Sequence, residues 1–313
     1  MFSIVITTFN RRDIVVRCLE SALAQTESGA HIVVVDDASS DDTVSALTER
    51  YRGRIELVVH PHNRGINPAR GTGVEHARGE WIVILDSDWV LHPDALECLR
   101  AVIARLPPEV QAIRSQIEAD GGLVIPHFMP DRIVGYEERI RWADDEGGWD
   151  SLHTMHRDAF ARVPYIADRR GGVEELYELD LARQVKSVYV PQALGRQFFD
   201  AGNSYLRSAS HSIVIPQLLG DAPDLLWMAE TVLERHGDAL RTYGPRQYGV
   251  MLKLATSRAF LAGERRKGWR YGRLTLRHQP VDPVTWITIL TGLLGARSLA
   301  YVSLGVRLLR RAR

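Results

Sequence analysis

Two aspartates separated by one residue, Asp86-Ser87-Asp88, close the apolar run Trp81-Ile82-Val83-Ile84-Leu85. A carboxylate pair at a strand end costs stability through mutual repulsion unless a cation or a donor compensates it. A divalent metal is the economical partner, because one intervening residue lets both carboxylates reach a hard cation. Mg2+ or Mn2+ would keep several waters there and bridge to substrate phosphates. The competing reading makes Asp88 a helix cap ahead of His92-Pro93-Asp94. A second acidic pair, Asp36-Asp37, follows the run 31–35, and there turn formation and capping compete with ligand binding, since Ser39 to Asp42 suit both.

The elements that must position these residues alternate. Residues 3–8 read as a buried strand, and Asp13 begins a helical pattern carried by Ile14, Val15, Cys18, Leu19 and Leu23. Strand 31–35 is followed by a helix capped at Ser40-Asp41-Asp42-Thr43, strand 55–59 by helix 67–77, and strand 81–85 ends at Asp86. Such alternation implies a parallel sheet with helices on both faces, and ligands bind such sheets at the carboxyl ends of the strands. Thr7-Thr8, Asp36-Asp37 and Asp86-Ser87-Asp88 all lie at strand ends of this kind. Beyond residue 110 the pattern loosens, with Gly121-Gly122, Gly147-Gly148 and Gly171-Gly172 marking turns. Residues 213–270 read as helical and 284–306 as strongly apolar.

Acidic and basic residues balance at 39 each, so no overall field argues for a nucleic-acid partner. Of the basic residues only Lys186, Lys253 and Lys267 are lysines. Cys18 and Cys98 sit in helix-like patterns without a CxxC partner, which suggests neither a disulfide framework nor a zinc site and fits a reducing compartment. No GxxxxGK[ST] phosphate loop is present, and the first residues read as a strand without a basic, apolar signal segment, so a cytoplasmic location is expected.

The runs Ser3-Ile4-Val5-Ile6-Thr7-Thr8-Phe9-Asn10-Arg11, Val33-Val34-Val35-Asp36-Asp37-Ala38-Ser39-Ser40-Asp41-Asp42-Thr43, Asn63-Arg64-Gly65 with Ala69-Arg70, and Arg78-Gly79-Glu80 through Asp88 together resemble glycosyltransferase family 2. The resemblance is strong over the first hundred residues. It implies an α/β fold of the GT-A type, a doubly wound and mostly parallel sheet with a helical C-terminal region. Its expected parts are a donor half at 1–110, an acceptor and catalytic half at 111–210, and helices at 211–313. It further implies inverting transfer of a hexose from a nucleoside-diphosphate sugar, with Mn2+ or Mg2+ as cofactor. By this resemblance Thr7 and Asp36 or Asp37 hold the nucleoside, Arg70 meets the nucleotide or pyrophosphate, Asp86 the ribose, and Asp88, with Asp86, the metal; Asn63 and Ser87 fall in the same donor-binding motifs. For Arg70 an ion pair with a neighbouring carboxylate is the alternative.

The base is expected in the second half, where the segment after Gly171-Gly172-Val173-Glu174-Glu175 reads Tyr177-Glu178-Leu179-Asp180-Leu181. Aligned on Asp180-Leu181, Glu178 stands where the family carries its catalytic carboxylate. The chain departs from the family's usual Glu-Asp pair here, and Asp180 is the second choice. The alternative makes Glu174, Glu175 and Glu178 a solvated helix face paired with Arg183. The segment 150–157 lies where the family places acceptor-side residues, and His153, His156 or Asp200 could complete a metal shell.

The apolar runs 284–296 and 298–306 are split by Arg297 and followed by several arginines. A mid-bilayer arginine disfavours a simple span, so an interfacial hairpin at the inner face of the cell membrane is expected, against two ordinary packed helices. The expected acceptor is a glycan, lipid-linked or small molecule of cell-surface polysaccharide assembly. A polyprenyl-phosphate acceptor and a catalytically silent nucleotide-sugar-binding module remain open.

Overall fold

The computed structural model describes residues 1–119, 122–126, 131–146, 151–170, 172–198 and 211–311, with the backbone alone for 146, 211–214 and 304–311. The first elements follow in the order β1 (Phe2–Thr8), α1 (Arg12–Leu23), β2 (His31–Asp36), α2 (Thr43–Tyr51), β3 (Glu56–Val59), α3 (Ile66–His76) and β4 (Trp81–Asp86). β1 is buried along its whole length, which is why it carries β-branched residues without alternation. On one face Phe2, Ile4 and Ile6 join Val15, Cys18 and Leu19 of α1 and Leu47 and Tyr51 of α2 in the main core. On the other face Val5 meets α3 so closely that a Cβ on Gly73 would lie 2.2 Å from its Cγ1. Helices therefore cover both faces.

These strands run parallel in the order β3-β2-β1-β4. The register sets Thr8 opposite Asp36 and Thr7 opposite Asp86, so the acidic loops open at one edge of the sheet.

The chain continues through β5 (Trp89–Leu91), α4 (Ala95–Ile103), β6 (Val110–Ala119), β7 (Leu123–Ile125), β8 (Arg132–Val134), α5 (Tyr136–Glu146), β9 (Leu152–His156), α6 (Arg157–Arg162), α7 (Glu174–Gln184) and β10 (Lys186–Gln197). The sheet extends in the order β4-β9-β6-β10-β5. β9 is antiparallel to both of its neighbours, β10 is parallel to β6, and β5 is antiparallel to β10. The sheet is thus parallel through four strands and mixed beyond them, and it crosses the boundary expected near residue 110. β6 and β10 escaped the sequence reading for a physical reason. Arg114, Ser115 and Gln116 are buried within β6 and interrupt its apolar pattern, while β10 leaves its pairing register three times.

The remaining helices are α8 (His211–Gly220), α9 (Ala222–Tyr243), α10 (Pro245–Leu261), α11 (Arg265–His278), α12 (Pro283–Leu293) and α13 (Ala296–Arg311). Phe260, Leu261, Ile289 and Leu299 share one apolar cluster, and Leu226, Leu252, Ala255 and Tyr271 another. The chain divides into two compact units. The sheet unit holds Met1–Arg139, Gly148–Gly171 and Asp180–Asp200, and the helical unit Ile140–Gly147, Gly172–Leu179 and Ala201–Arg313.

Two glycines of the sheet unit separate space from backbone conformation. A Cβ on Gly79 would lie 2.5 Å from the Phe2 carbonyl carbon and the Ser3 nitrogen, whereas Gly53 has open surroundings but a φ of +75°. Gly79→Ala should lower unfolding stability by about 1–3 kcal/mol through overpacking against backbone that cannot yield. Gly53→Ala should cost about 1 kcal/mol of conformational strain alone. Denaturant midpoints of the two variants check the order; equal losses would contradict it.

Candidate active site

The loops after β1 and β2 are clamped to each other. The Asn10 amide donates to Ser39 Oγ (2.8 Å), and its side-chain oxygen accepts from the amide of Ser40 at 2.7 Å. Both sides of the clamp adopt left-handed backbone, Asn10 with φ 52° and Ala38 with φ 65°. Asp36, fully buried, accepts from the Ser39 amide (2.8 Å) and hydroxyl (2.6 Å). Asp37 takes the amides of Arg64 (2.8 Å) and Gly65 (2.7 Å), and its Oδ1 lies 2.8 Å from Nδ1 of buried His60. The other ring nitrogen of His60 meets Thr72 Oγ1 at 3.0 Å, which orients the imidazole. Asn63 donates to the Asp37 carbonyl (3.2 Å) and accepts from Arg170. Gly65 has φ 99°, and a Cβ there would fall 2.1 Å from the Arg170 carbonyl oxygen, so only glycine fits.

A carboxylate offers about four acceptor positions. Asp36 commits two of them to Ser39, and Asp37 commits three if His60 donates. Both acids therefore organise the site edge, Asp37 with about one acceptor position left over and Asp36 with about two.

The second acidic pair is less satisfied. Arg70 of α3 reaches Asp86 Oδ1 at 2.6 Å, so the ion-pair alternative for Arg70 is realised here. Arg11 donates to Ser87 Oγ, a nearly buried hydroxyl, at 3.3 Å. Asp88 is half-buried; burial pushes its carboxyl above the usual range and the charge of Asp86 pushes it further, with Arg11 and a Gln197 hydrogen bond opposing. Gln197 arrives through the pairing of β10 with β5, which sets it opposite Trp89. The Phe198 amide then donates to the Asp88 carbonyl at 3.0 Å, and Arg17 stacks over the Phe198 ring at 4.1 Å. Cys18 approaches the Asp86 carbonyl at 3.5 Å, and burial together with Asp86 and Asp88 pushes its thiol up, which leaves it inert.

Asp86 and Asp88 fit a divalent cation: a carboxylate held above its ordinary range beside a second one gains by receiving positive charge. Among the described residues no cluster of three His, Cys, Asp or Glu exists, so two carboxylates, donor phosphate oxygens and water would make up the shell. His156 instead caps α6, accepting from the Asp158 amide at 3.3 Å. His153 stands across from Ile84 on β9. Gly171, Asp150 and Asp200 lie outside the described residues.

Thr7, Asp36, Asp37, Asn63, Arg70, Asp86, Ser87 and Asp88 all belong to the sheet unit. Asp180 of α7 also belongs to it and lies in the electrostatic neighbourhood of Tyr136, whose hydroxyl is pushed up first by burial. Glu178, on the same helix, belongs to the helical unit; it is half-buried, unlike exposed Glu174. Sequence reasoning assigned no role to Arg11, His60, Arg170 or Gln197. Arg11 was in view inside a quoted motif, but Gln197 lies far along the chain and only sheet pairing discloses it.

The raised carboxyl of Asp88 has a sign. Between the ordinary aspartate value and its folded value, the folded state binds more protons than the unfolded chain, so this group's contribution to stability falls as pH rises through that window. Asp88→Asn should therefore raise the melting temperature of the ligand-free protein at pH 7, with the gain shrinking below pH 4. Scanning calorimetry at both pH values reads this, and a lowered melting temperature at pH 7 would overturn the assignment of strain to Asp88.

Over 116 residues the chain is 38% identical to the succinoglycan biosynthesis protein ExoO of Rhizobium meliloti, covering 37% of this chain and 31% of that one. Over 92 residues it is 35% identical to the UDP-Glc:alpha-D-GlcNAc-diphosphoundecaprenol beta-1,3-glucosyltransferase WfaP of Escherichia coli, covering 29% of this chain and 37% of that one. The matches thus span about a third of each of these relatives. The crystal structure of S. aureus TarS 1-349 in complex with UDP-GlcNAc superposes with a TM-score of 0.58 at 16% identity, covering 89% of this chain and 91% of that one. This likeness establishes a GT-A-like α/β fold. The family model of glycosyl transferase family 2 matches residues 3–161, half of the chain and every strand-end motif of the site, and the chain belongs to that family.

Proposed function

We propose that the protein is a metal-dependent, inverting glycosyltransferase that moves a hexose from a nucleoside-diphosphate sugar to a glycan or lipid-linked acceptor in cell-surface polysaccharide assembly. The observation that carries this reading is the Asp86-Ser87-Asp88 end of β4, where Asp88 is undercompensated and two arginines stand beside the pair. ExoO is named for succinoglycan biosynthesis, WfaP for a UDP-Glc donor and a diphosphoundecaprenol-linked acceptor, and TarS has been crystallised with UDP-GlcNAc; all three support the substrate classes.

In this reading Thr7, Asn63 and the Asp36 and Asp37 edge receive the nucleoside, Asp86 the ribose, and Ser87, Arg70 and Arg11 the diphosphate side. Mn2+ or Mg2+ held by Asp88 and Asp86 would supply positive charge to the leaving diphosphate. Glu178 is the base, with Asp180 as the alternative. The base takes the proton of the acceptor hydroxyl, the oxygen bonds to the anomeric carbon, and the bond to the diphosphate breaks on the opposite side. Arginine near the departing oxygens stabilises their growing charge. The setting is the inner face of the cell membrane, with peripheral contact through residues 284–313.

Three measurements test this. Thermal shift against a panel of nucleotide sugars with Mn2+ should single out a donor that adds about 2.7 kcal/mol at 100 times its Kd. Chelator or Asp88→Asn should abolish that shift, and a donor shift indifferent to both would remove the metal from the assignment. Glu178→Gln should keep donor binding and lower turnover about 10²–10⁴-fold, the usual share of acid–base catalysis. Normal turnover in Glu178→Gln with a dead Asp180→Asn moves the base to Asp180.

A further inference from the structure

The helical unit exposes two neighbouring faces that its own core does not use. On α11 the buried residues are Gly268, Tyr271, Gly272 and Thr275, while Arg266, Trp269, Arg270, Arg273 and Arg277 are exposed at spacings of three and four that place them on one stripe. On α12, Thr285, Ile289 and Gly292 face inward, whereas Trp286, Ile287, Leu290, Leu293 and Leu294 just beyond it are 49%, 46%, 60%, 40% and 77% exposed. Glycines bring the two helices together. A Cβ on Gly272 would lie 2.8 Å from Ile289 Cδ1, and Gly268 of α11 and Gly292 of α12 both press on the ring of Phe260. Because both helices sit on one α10 side chain and on each other, the basic stripe and the apolar row lie side by side.

The charge of the stripe is not cancelled locally. Arg265, Arg266, Arg273 and Arg277 form no ion pair among the described residues. Two nearby carboxylates are already taken, Asp282 by Lys253 (3.1 Å) and the Thr285 amide and Glu230 by Lys267 (3.0 Å) and the Tyr271 hydroxyl, which leaves exposed Glu264 at the start of α11 and Glu234 against the arginines. In a chain whose formal charge sums to zero, this is a concentrated local excess.

We propose that α11 and α12 form a docking platform for an anionic lipid surface, α12 entering the interface with its apolar row while the α11 arginines meet lipid phosphates. Charge and chemistry select this occupant. A second copy docked by twofold symmetry would bring the arginine stripe against its own image. A polyanion such as nucleic acid would leave the α12 row in water. A membrane interface accepts both, and the two exposed tryptophans, Trp269 and Trp286, suit its headgroup level. No helix among the described residues is long and apolar enough to cross a membrane, so the platform lies on the surface. The proposal rests on the peripheral setting put forward above, not on the donor chemistry, and it moves the contact from the two apolar runs to residues 265–294.

The test is vesicle flotation of the full chain with neutral phosphatidylcholine and with phosphatidylcholine–phosphatidylglycerol mixtures. The chain should float with the anionic vesicles only, and less so at high salt. Each arginine at such a surface is worth about a factor of five, so Arg266→Gln with Arg273→Gln should weaken binding about 30-fold. Leu290→Ser with Leu294→Ser should weaken it about tenfold or more. Sedimentation velocity and the nucleotide-sugar thermal shift should be unchanged in both variants. Equal flotation with neutral and anionic vesicles, or wild-type flotation of both variants, overturns the platform. A serine variant that alters the oligomeric state assigns the face to a second copy and overturns it too. A chain that floats as expected while no nucleotide sugar shifts its melting leaves the platform standing and removes the donor reading; the reverse pattern does the opposite.

Discussion

Two acidic pairs end the two strands that flank β1 at one edge of a parallel sheet, and the architecture of the sheet unit follows from how each carboxylate is compensated. Asp36 is neutralised by hydrogen bonds from the serine three residues on, a local turn. Asp37 draws in the two amides just before α3 and the histidine just after β3, so one side chain ties three segments together. Asp86 receives Arg70 from the second turn of that same helix. Asp88 is the remaining one, with an arginine and a glutamine that do not offset its burial. Asp88 is thus the point of the edge where burial outweighs the hydrogen bonds and charges that neighbours supply.

The same edge holds backbone strain. Ala38 occupies left-handed backbone that costs an alanine about 1–2 kcal/mol, directly after Asp37. Its compensation is visible in the hydrogen bonds of the following residues: Ser39 Oγ accepts from the Asn10 amide, the Ser39 amide donates to Asp36, and the Ser40 amide donates to the Asn10 side-chain oxygen. Gly65 solves a related problem without strain, because the Arg170 backbone occupies the space that any side chain would need. Strain and close approach both serve to hold polar loops at fixed positions without extended secondary structure of their own.

The helical unit follows a different rule. Its helices approach through glycines seated on Phe260 and Ile289, and that close contact uses small residues inward while turning large apolar and cationic residues outward. An outward row of tryptophan, isoleucine and leucine would lower solubility unless something covers it. The arginine stripe beside it is the feature that says what kind of surface that is.

The amino-acid sequence by itself determined the first half of the sheet unit. Runs such as Ser3 to Thr8 and Trp81 to Asp86 are apolar without alternation because both faces are buried, and the polar residues that end them mark the ligand edge. The strand-end positions of Asp86, Ser87 and Asp88 were legible for that reason, whereas Arg70 drew notice only through the family resemblance. Tertiary structure decided which partner each acid takes. Asp37 faces amides 27 and 28 residues away, Arg70 crosses 16 residues to Asp86, and Gln197 reaches Asp88 only because β10 pairs with β5. Tertiary structure also decided that β6 is a strand despite its buried Arg114, since cross-strand neighbours and not periodicity hold it there. Local pattern records what a residue needs, burial or solvent; which distant group meets that need depends on register and packing, which no local window contains.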